Sequence, residues 1–595
     1  MPLALAIAGF ALVILGCKFA LIQFAGSDLP IDDQWDAEGA VTLQPWLEHR
    51  WGIREIIHPH NEHRLITTKL YVLGVFAANS QWDAIVEMVF NALVHTSCAV
   101  FLLLISRRWL QGRSWAAFGL LVVLLFSLPF NWENTLGGFQ IQFYFLLLLS
   151  AAHIVLSLES DRISSAWVLG QFAGLLAVAT QASGFFSAIA VSVVLALRYF
   201  RQRQLSLQQW ITLGFCAVLV ATGWACKYSV PGHEVLKAQS AGEFLRAVMH
   251  QLCWPGLRFF PWSLVLAIPS LAFFLQSVRQ RSLASTEGVR LALACWVALQ
   301  ILAIAYSRAN ANPVASRYLD VLALGVALNF AFLLKFARTR RGIVLAVLWI
   351  GAVLFCLGEQ SLVAWRGTIV PEVATSRKRE ENVRAYLANG DVALFTQHPQ
   401  NELPYPNPRV LLSRLSAPSL QGILPASVRR SLSLATESGI VSRQGPPSLP
   451  PSPSPVAVST WTTLSLAQPY LWRSAPITSA TLPILRFRVL GQASQESSAM
   501  QVLIKSNSGS VALSLDAIRP DRWKTMNIVR PAGDWWVEVI DRDPEGWCAI
   551  TEPVEVGRLS WLSGKILKSS TVLILFGLGA LAAGGLCTVP RRSMP

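Results

Sequence analysis

The sequence predicts a polytopic α-helical membrane protein carrying a C-terminal extracytoplasmic domain that contains a β-sandwich. Three observations predict it. Of the 595 residues, 53% are hydrophobic and 14% charged, with a mean hydropathy of +0.46; an ordinary soluble domain is about 25% charged. Apolar runs of the length that crosses hydrocarbon as a helix, about 20 residues, recur up to residue 361 and once more near the C-terminus. Between the last two runs the chain turns polar, and after a Pro/Ser tract its period becomes two, the mark of half-buried strands. The same numbers argue against a soluble enzyme and exclude a disordered or low-complexity chain, which would be poor in apolar residues.

About twelve runs qualify as spans: 3–25, 83–105, 115–131, 139–158, 166–182, 184–198, 208–227, 259–278, 289–306, 317–336, 342–361 and 570–588. The fifth and sixth are short and joined by Gln181-Ala182-Ser183-Gly184, so they also suit a re-entrant pair. The first lacks a basic leader and a small-residue cleavage site, so it is expected to be a retained helix and not a signal peptide. Residues 65–80 are amphipathic and predict a helix lying along the membrane surface.

The net charge of +15, from 49 basic and 34 acidic residues, marks topology. With the N-terminus inside, the basic residues Arg107, Arg108, Arg113, Arg162, Arg198, Arg201, Arg203, Arg279, Arg281, Arg290, Lys335, Arg338, Arg340 and Arg341 fall in or beside alternate loops, as the positive-inside rule requires. The tail adds Arg591 and Arg592, while the turns 132–138 and 182–184 hold no base. No nucleic-acid-binding motif accompanies the charge, so no nucleic acid partner is expected.

Three outside segments are large: 26–82, 228–258 and 362–569. The chain therefore divides into a transmembrane domain (1–361), a mixed extracytoplasmic segment (362–443), a Pro/Ser linker (444–456) suited to polyproline II, a β-sandwich (457–565), and a final helix with its tail (566–595). A short helix is expected at Arg379–Ala388. Strands are expected in LRFRVLG, MQVLIKS, VALSLDA, WKTMNIV and WWVEVID, separated by turn clusters. Most cysteines lie in apolar runs as small hydrophobes; Cys253 and Cys548 fall in polar sequence and are expected as free thiols.

Four polar constellations are candidates for chemistry. Asp28, Asp32, Asp33 and Asp36 crowd the loop behind the first span. They are either solvated loop charge around Pro30 or a general base with its partner, and paired acids also suit a divalent cation. His58-Pro59-His60-Asn61-Glu62-His63-Arg64 is a dense polar cluster. It is read as an interfacial turn, a binding surface or, weakly, a zinc site; on a helix, His60 and His63 would share a face. The turn from Asn131 to Gln142 holds Glu133 as its only acid, with Gln140 beyond a Gly137-Gly138 pair that would let backbone approach a ligand. The turn after the ninth run carries Arg308, Arg317 and Tyr318. Arginine forks suit phosphate, and snorkelling to headgroups competes with that reading.

This layout resembles the GT-C class of integral membrane glycosyltransferases, through Asp32-Asp33 behind the first helix, the surface helix before the second span, and the outside C-terminal domain. One departure is the helix that follows that domain. The resemblance implies a polyprenyl-phosphate-linked sugar donor and a cell-envelope glycan, lipid or protein acceptor. It places the active site on the periplasmic or exterior face of a bacterial inner membrane, among membrane lipids. Asp33 and Asp32 would be the catalytic acids, Asp33 or Asp32 taking the acceptor proton. His60, Glu62, His63, Arg64, Glu133, Gln140, Arg308, Arg317 and Tyr318 would form the substrate site, the arginines meeting the leaving charge. A divalent cation, Mg²⁺ or Mn²⁺, is an alternative for that last role. A transporter or flippase of lipid-linked saccharide is the rival reading; it predicts functional charges at mid-membrane depth, whereas nearly all ionisable residues lie at the ends of the runs. A third is a scaffold whose sandwich tryptophans, such as Trp461, Trp523 and Trp536, stack on glycan or fill a core.

Overall fold

A computed structural model of the chain describes residues 2–586 apart from 160–161, 280–282, 338, 440–449, 453, 462–469, 493–498, 517 and 544–545. The chain is a mostly helical membrane protein with a C-terminal β-sheet region. Among the described residues, eight helices are long and apolar enough to cross a membrane: Leu3–Ala25, Ala84–Ser106, Gly112–Leu136, Gly138–Leu158, Leu207–Ala225, Ser285–Arg308, Ser316–Phe336 and the start of Arg340–Asn389. The pair Arg558–Leu567 and Ser570–Gly584, bent by 54°, makes a ninth if it is one crossing. This is fewer than the expected twelve. Ser165–Thr180 and Trp262–Ser277 are apolar but short of the usual spanning length, and Phe186–Gln202 ends in a basic turn with Arg201.

The last helix packs along the first. A Cβ on Gly9 would lie 2.9 Å from the Gly577 carbonyl oxygen, so small residues let the two backbones approach as they do in membrane helix pairs. The helix at residues 65–80 is present as Ile66–Asn79. It buries Val72 and Leu73 in a core shared with Trp35 and Trp82 of the first loop, and with Val383, Phe395, Leu411 and Leu424 of the 362–443 segment. Hydrogen bonds from Asp32 N–H to the Pro404 carbonyl (2.7 Å) and from Trp82 N–H to the Ile423 carbonyl (2.8 Å) join these parts.

The helix expected at Arg379–Ala388 is the end of a much longer one. Arg340–Ala364 runs through a π-helical stretch, Trp365–Ile369, into Val370–Asn389. No breaker interrupts it, because Pro371 sits at the first turn of the last piece, where a missing N–H is tolerated.

The strands are β1 (Thr436–Gly439), β2 (Val456–Ser459), β3 (Tyr470–Ser474), β4 (Ile484–Gln492), β5 (Met500–Ser506), β6 (Gly509–Leu513), β7 (Lys524–Val529), β8 (Trp535–Asp541), β9 (Trp547–Thr551) and β10 (Val554–Val556). One antiparallel sheet has the order β1-β3-β8-β5-β6; the other has β10-β4-β9-β2, with β7 also paired to β4. The five alternating segments are β4 to β8, and along β8 Trp535, Val537 and Val539 turn inward. Trp472 and Val502 of the first sheet share a buried cluster with Phe487 and Ile550 of the second. The sheet region begins before the expected boundary at 457, since β1 pairs with β3 across the linker. Most of that linker lies outside the described residues.

Lys18, His95 and His153, at 1%, 0% and 0% exposed inside the bundle, depart from the reading that charge sits at the ends of the runs; Asp320, 3% exposed, is buried at the start of its run. Cys253 and Cys548 are unpaired, and both are buried.

Candidate functional site

The polar cluster beyond Pro59 is a two-residue hairpin, not a helix. His60 and His63 exchange backbone hydrogen bonds of 2.8 and 3.0 Å, and Asn61 takes φ +48° at the tip, a left-handed conformation that asparagine tolerates. The two imidazoles therefore stand side by side across a bridge. Lys69 fixes the approach to this hairpin: its ammonium donates to the carbonyls of Glu55 (2.7 Å), Ile56 (3.1 Å) and His58 (2.6 Å). Burial draws the Lys69 amine down to about 8.

The hairpin forms part of the wall of a cavity of about 440 Å³, within the size range of small-molecule sites. Asp33, His60, Glu62, His63, Gln140, Arg308, Arg317 and Tyr318 all line it. The structure thus brings together residues from four separated stretches. Asp32, Arg64 and Glu133 are not part of the lining. Arg64 donates to the Ile57 and Cys226 carbonyls, and Glu133 stands behind Arg317 in an ion pair of 2.7 Å. The rest of the wall is largely aromatic and aliphatic, as at Phe139, Phe143, Phe186, Trp224 and Ile304.

The four acids of the first loop separate by direction. Asp28 accepts from the Ser427 N–H (3.2 Å). Asp36 takes the Tyr405 hydroxyl and the Arg414 guanidinium. Asp32, at φ +48°, is pushed up by burial; Arg379 partly offsets this, while Asp33, Glu372 and Glu133 add to it. Only Asp33 reaches the cavity. Its side chain is 53% exposed, to the cavity space, with Oδ1 at 3.6 Å from His60 Nε2. Burial alone would raise its carboxyl, but the neighbouring His60, with Arg317 and His63, holds it below the ordinary carboxylate range. The two neighbouring acids are thus pushed in opposite directions, Asp32 up and Asp33 down, a separation that suits acid–base work.

Glu62 closes another part of the wall. It meets His233 Nδ1 at 2.8 Å and Arg308 at 3.3 Å. Burial opposes its charge, yet these two partners draw it down to about 2. Burial pulls His63 down to about 4, and as a neutral ring its Nδ1 accepts the Ala182 N–H at 3.2 Å. His233, Lys227 and Lys237 escaped the sequence reading, although the last two also line the cavity; they are dispersed along the 228–258 loop and its edge, with no local density to mark them.

The Gly137-Gly138 pair serves the scaffold rather than a ligand. Asn91 donates to both glycine carbonyls, and a Cβ on Gly138 would fall 2.2 Å from Glu87 Oε2. That carboxylate accepts from Gln34 (2.8 Å), which also donates to Glu38 (2.9 Å).

A hard divalent cation needs several oxygen ligands converging on one point. Among the described residues, no group of three or more His, Cys, Asp or Glu side chains is placed to hold a metal. Asp33 faces His60 at 3.6 Å, and Glu62 is paired with Arg308 and His233. What the cavity offers is two carboxylates with imidazole partners, Asp33 with His60 and Glu62 with His233, two arginines and two lysines, and an apolar remainder. No family model matches the chain, and no curated protein or solved structure is similar to it.

Proposed function

We propose that the chain is an integral membrane glycosyltransferase. It moves a sugar from a polyprenyl-phosphate donor to a cell-envelope glycan, lipid or protein acceptor on the extracytoplasmic face of a bacterial plasma membrane. The observation that carries this reading is the composition of the one cavity wall: Asp33 and His60 with Arg308, Arg317 and an aromatic lining. An isoprenoid phosphate presents an anion on an apolar chain, and both halves find complements there. The acceptor hydroxyl attacks the anomeric carbon, and its proton passes to Asp33. The bond from that carbon to the phosphate oxygen breaks as the new glycosidic bond forms. The lipid phosphate leaves with the electron pair, its charge met by Arg308 and Arg317.

In this reading the shorter helices complete about twelve crossings, and the two sheets form an accessory β-sandwich. The test is transfer of labelled sugar from a synthetic polyprenyl-phosphate sugar by the purified protein, read as a new glycosidic product. A second reading, a transporter of lipid-linked saccharide, is favoured by the charges Lys18 and Asp320 buried inside the bundle, since intramembrane ionisable residues commonly mark transport pathways. It predicts movement of the donor across liposomes with no glycosidic bond made.

A further inference from the structure

The charges buried in the bundle are joined to the cavity by an unbroken chain of hydrogen bonds. Lys18, on the first helix, donates to Asn131 Oδ1 (3.1 Å) and Thr135 Oγ1 (2.8 Å). The other end of the Asn131 amide donates to Asp320 Oδ1 (2.6 Å). One asparagine thus accepts from the cation and donates to the anion, and the two opposite charges fix which way its amide points. Asp320 Oδ2 accepts from Asn134 Nδ2 (2.7 Å), and the same nitrogen reaches the Arg317 carbonyl (2.9 Å). Ser316 Oγ accepts the Glu133 N–H (3.2 Å), and Glu133 holds the Arg317 side chain at 2.7 Å.

We propose that Lys18 and Asp320 are a positioning pair that sets Arg317 in the cavity wall, acting through Asn131, Asn134 and the turn that carries Glu133. Two charges in an apolar bundle are costly unless paired and fully hydrogen-bonded, and here the partners that satisfy them are the polar residues of that one turn together with His95, whose Nε2 lies 3.1 Å from Asp320 Oδ1. The burial therefore holds the turn to the start of the Ser316–Phe336 helix. Arg317 is clamped by its carbonyl from below and by Glu133 at its guanidinium. The role as a setter of the phosphate-binding arginine rests on the glycosyltransferase reading; the clamp itself does not.

The experiment uses the full chain in detergent and phenylglyoxal, an arginine-specific reagent, with modification of Arg317 and Arg308 followed by peptide mass. Asn134→Ala keeps both charges and the Asn131 bridge but cuts the tie to Arg317. It is expected to speed Arg317 modification about fivefold, the population shift one hydrogen bond supports, with the Arg308 rate unchanged as the internal reference. The neutral double variant Lys18→Met/Asp320→Asn removes both charges without stranding either and is expected to do the same. If either variant, folded by its melting profile, labels Arg317 at the wild-type rate, the positioning role is overturned. Equal acceleration at Arg308 also overturns it, since that is general loosening. Binding of dodecyl phosphate, read by quenching of tryptophan fluorescence, is measured alongside. Its weakening in both variants supports the setting of Arg317, and no change there overturns it. Absence of dodecyl phosphate binding in the wild type, with the labelling pattern as expected, defeats the phosphate reading of the cavity and leaves the clamp standing.

Discussion

Asp33 Oδ1 and His60 Nε2 face each other at 3.6 Å in the wall of the cavity, one carried by the loop behind the first helix and the other by the His60–His63 hairpin. The adjacent Asp32 has no such partner and does not line the cavity. A base for an acceptor hydroxyl must be ionised and within reach of it; of the two acids, Asp33 meets both conditions.

Asp33→Asn is therefore expected to lower sugar transfer by roughly 10²-fold, the scale of a lost general base, while donor binding persists because Arg308 and Arg317 are untouched. Asp32→Asn is expected to leave transfer within a few-fold of wild type. Initial rates of labelled product formation check both. Full activity in Asp33→Asn would remove the base assignment.

The pH profile supplies an independent check on the pairing. Asp33 is held below the ordinary carboxylate range in part by His60, so its base form survives as pH falls and the acid limb of activity should lie low. His60→Gln removes the imidazole's contribution. The Asp33 carboxyl then rises, and the acid limb should move to higher pH with the neutral-pH rate less affected than in Asp33→Asn. An acid limb that stays in place would show that His60 does not act on Asp33.

Much of this cavity was legible because its polar residues crowd short loops beside apolar runs, where charge has no packing reason to be. His60, Glu62, His63, Arg308 and Arg317 stood out on that ground. Which of Asp32 and Asp33 turns inward was not legible, because successive side chains in a turn diverge and the left-handed backbone at Asp32 leaves no trace in composition. The strands β4 to β8 announced themselves by alternation. β1 did not, since its residues, Thr436–Gly439, are all exposed and have no period to read. Lys18, His95 and Asp320 did leave a signal, a lone polar residue in or at the start of an apolar run, which in a membrane segment points inward to a partner.

Topology is testable with single cysteines in a background where exposed Cys226 is replaced by serine. Ala388 and Gln204 are both exposed and lie in segments assigned to opposite faces. A membrane-impermeant maleimide added to intact cells is expected to label Ala388→Cys and spare Gln204→Cys until the membrane is opened. Equal labelling of the two from outside would overturn the assignment of the cavity and the sheets to one extracytoplasmic side.

The buried carboxyl at Glu38 gives a stability prediction with a definite sign. Burial raises it to about 7, against the hydrogen bonds from Gln34 and Trp82, whereas an unfolded glutamate titrates near 4.3. A carboxyl raised in the folded state stabilises fully below the unfolded value, and this contribution is lost as pH rises through the folded one. The window therefore runs from about pH 4 to 7. Glu38→Gln keeps an oxygen to accept from Gln34 and Trp82 and has no proton to lose. It is expected to melt above wild type at pH 8, by stabilisation on the order of 1–3 kcal/mol, with the gap closing towards pH 5. Paired melting curves across that range by intrinsic fluorescence check it. A gap that is constant with pH, or that widens as pH falls, would mean that Glu38 is ionised in its pocket.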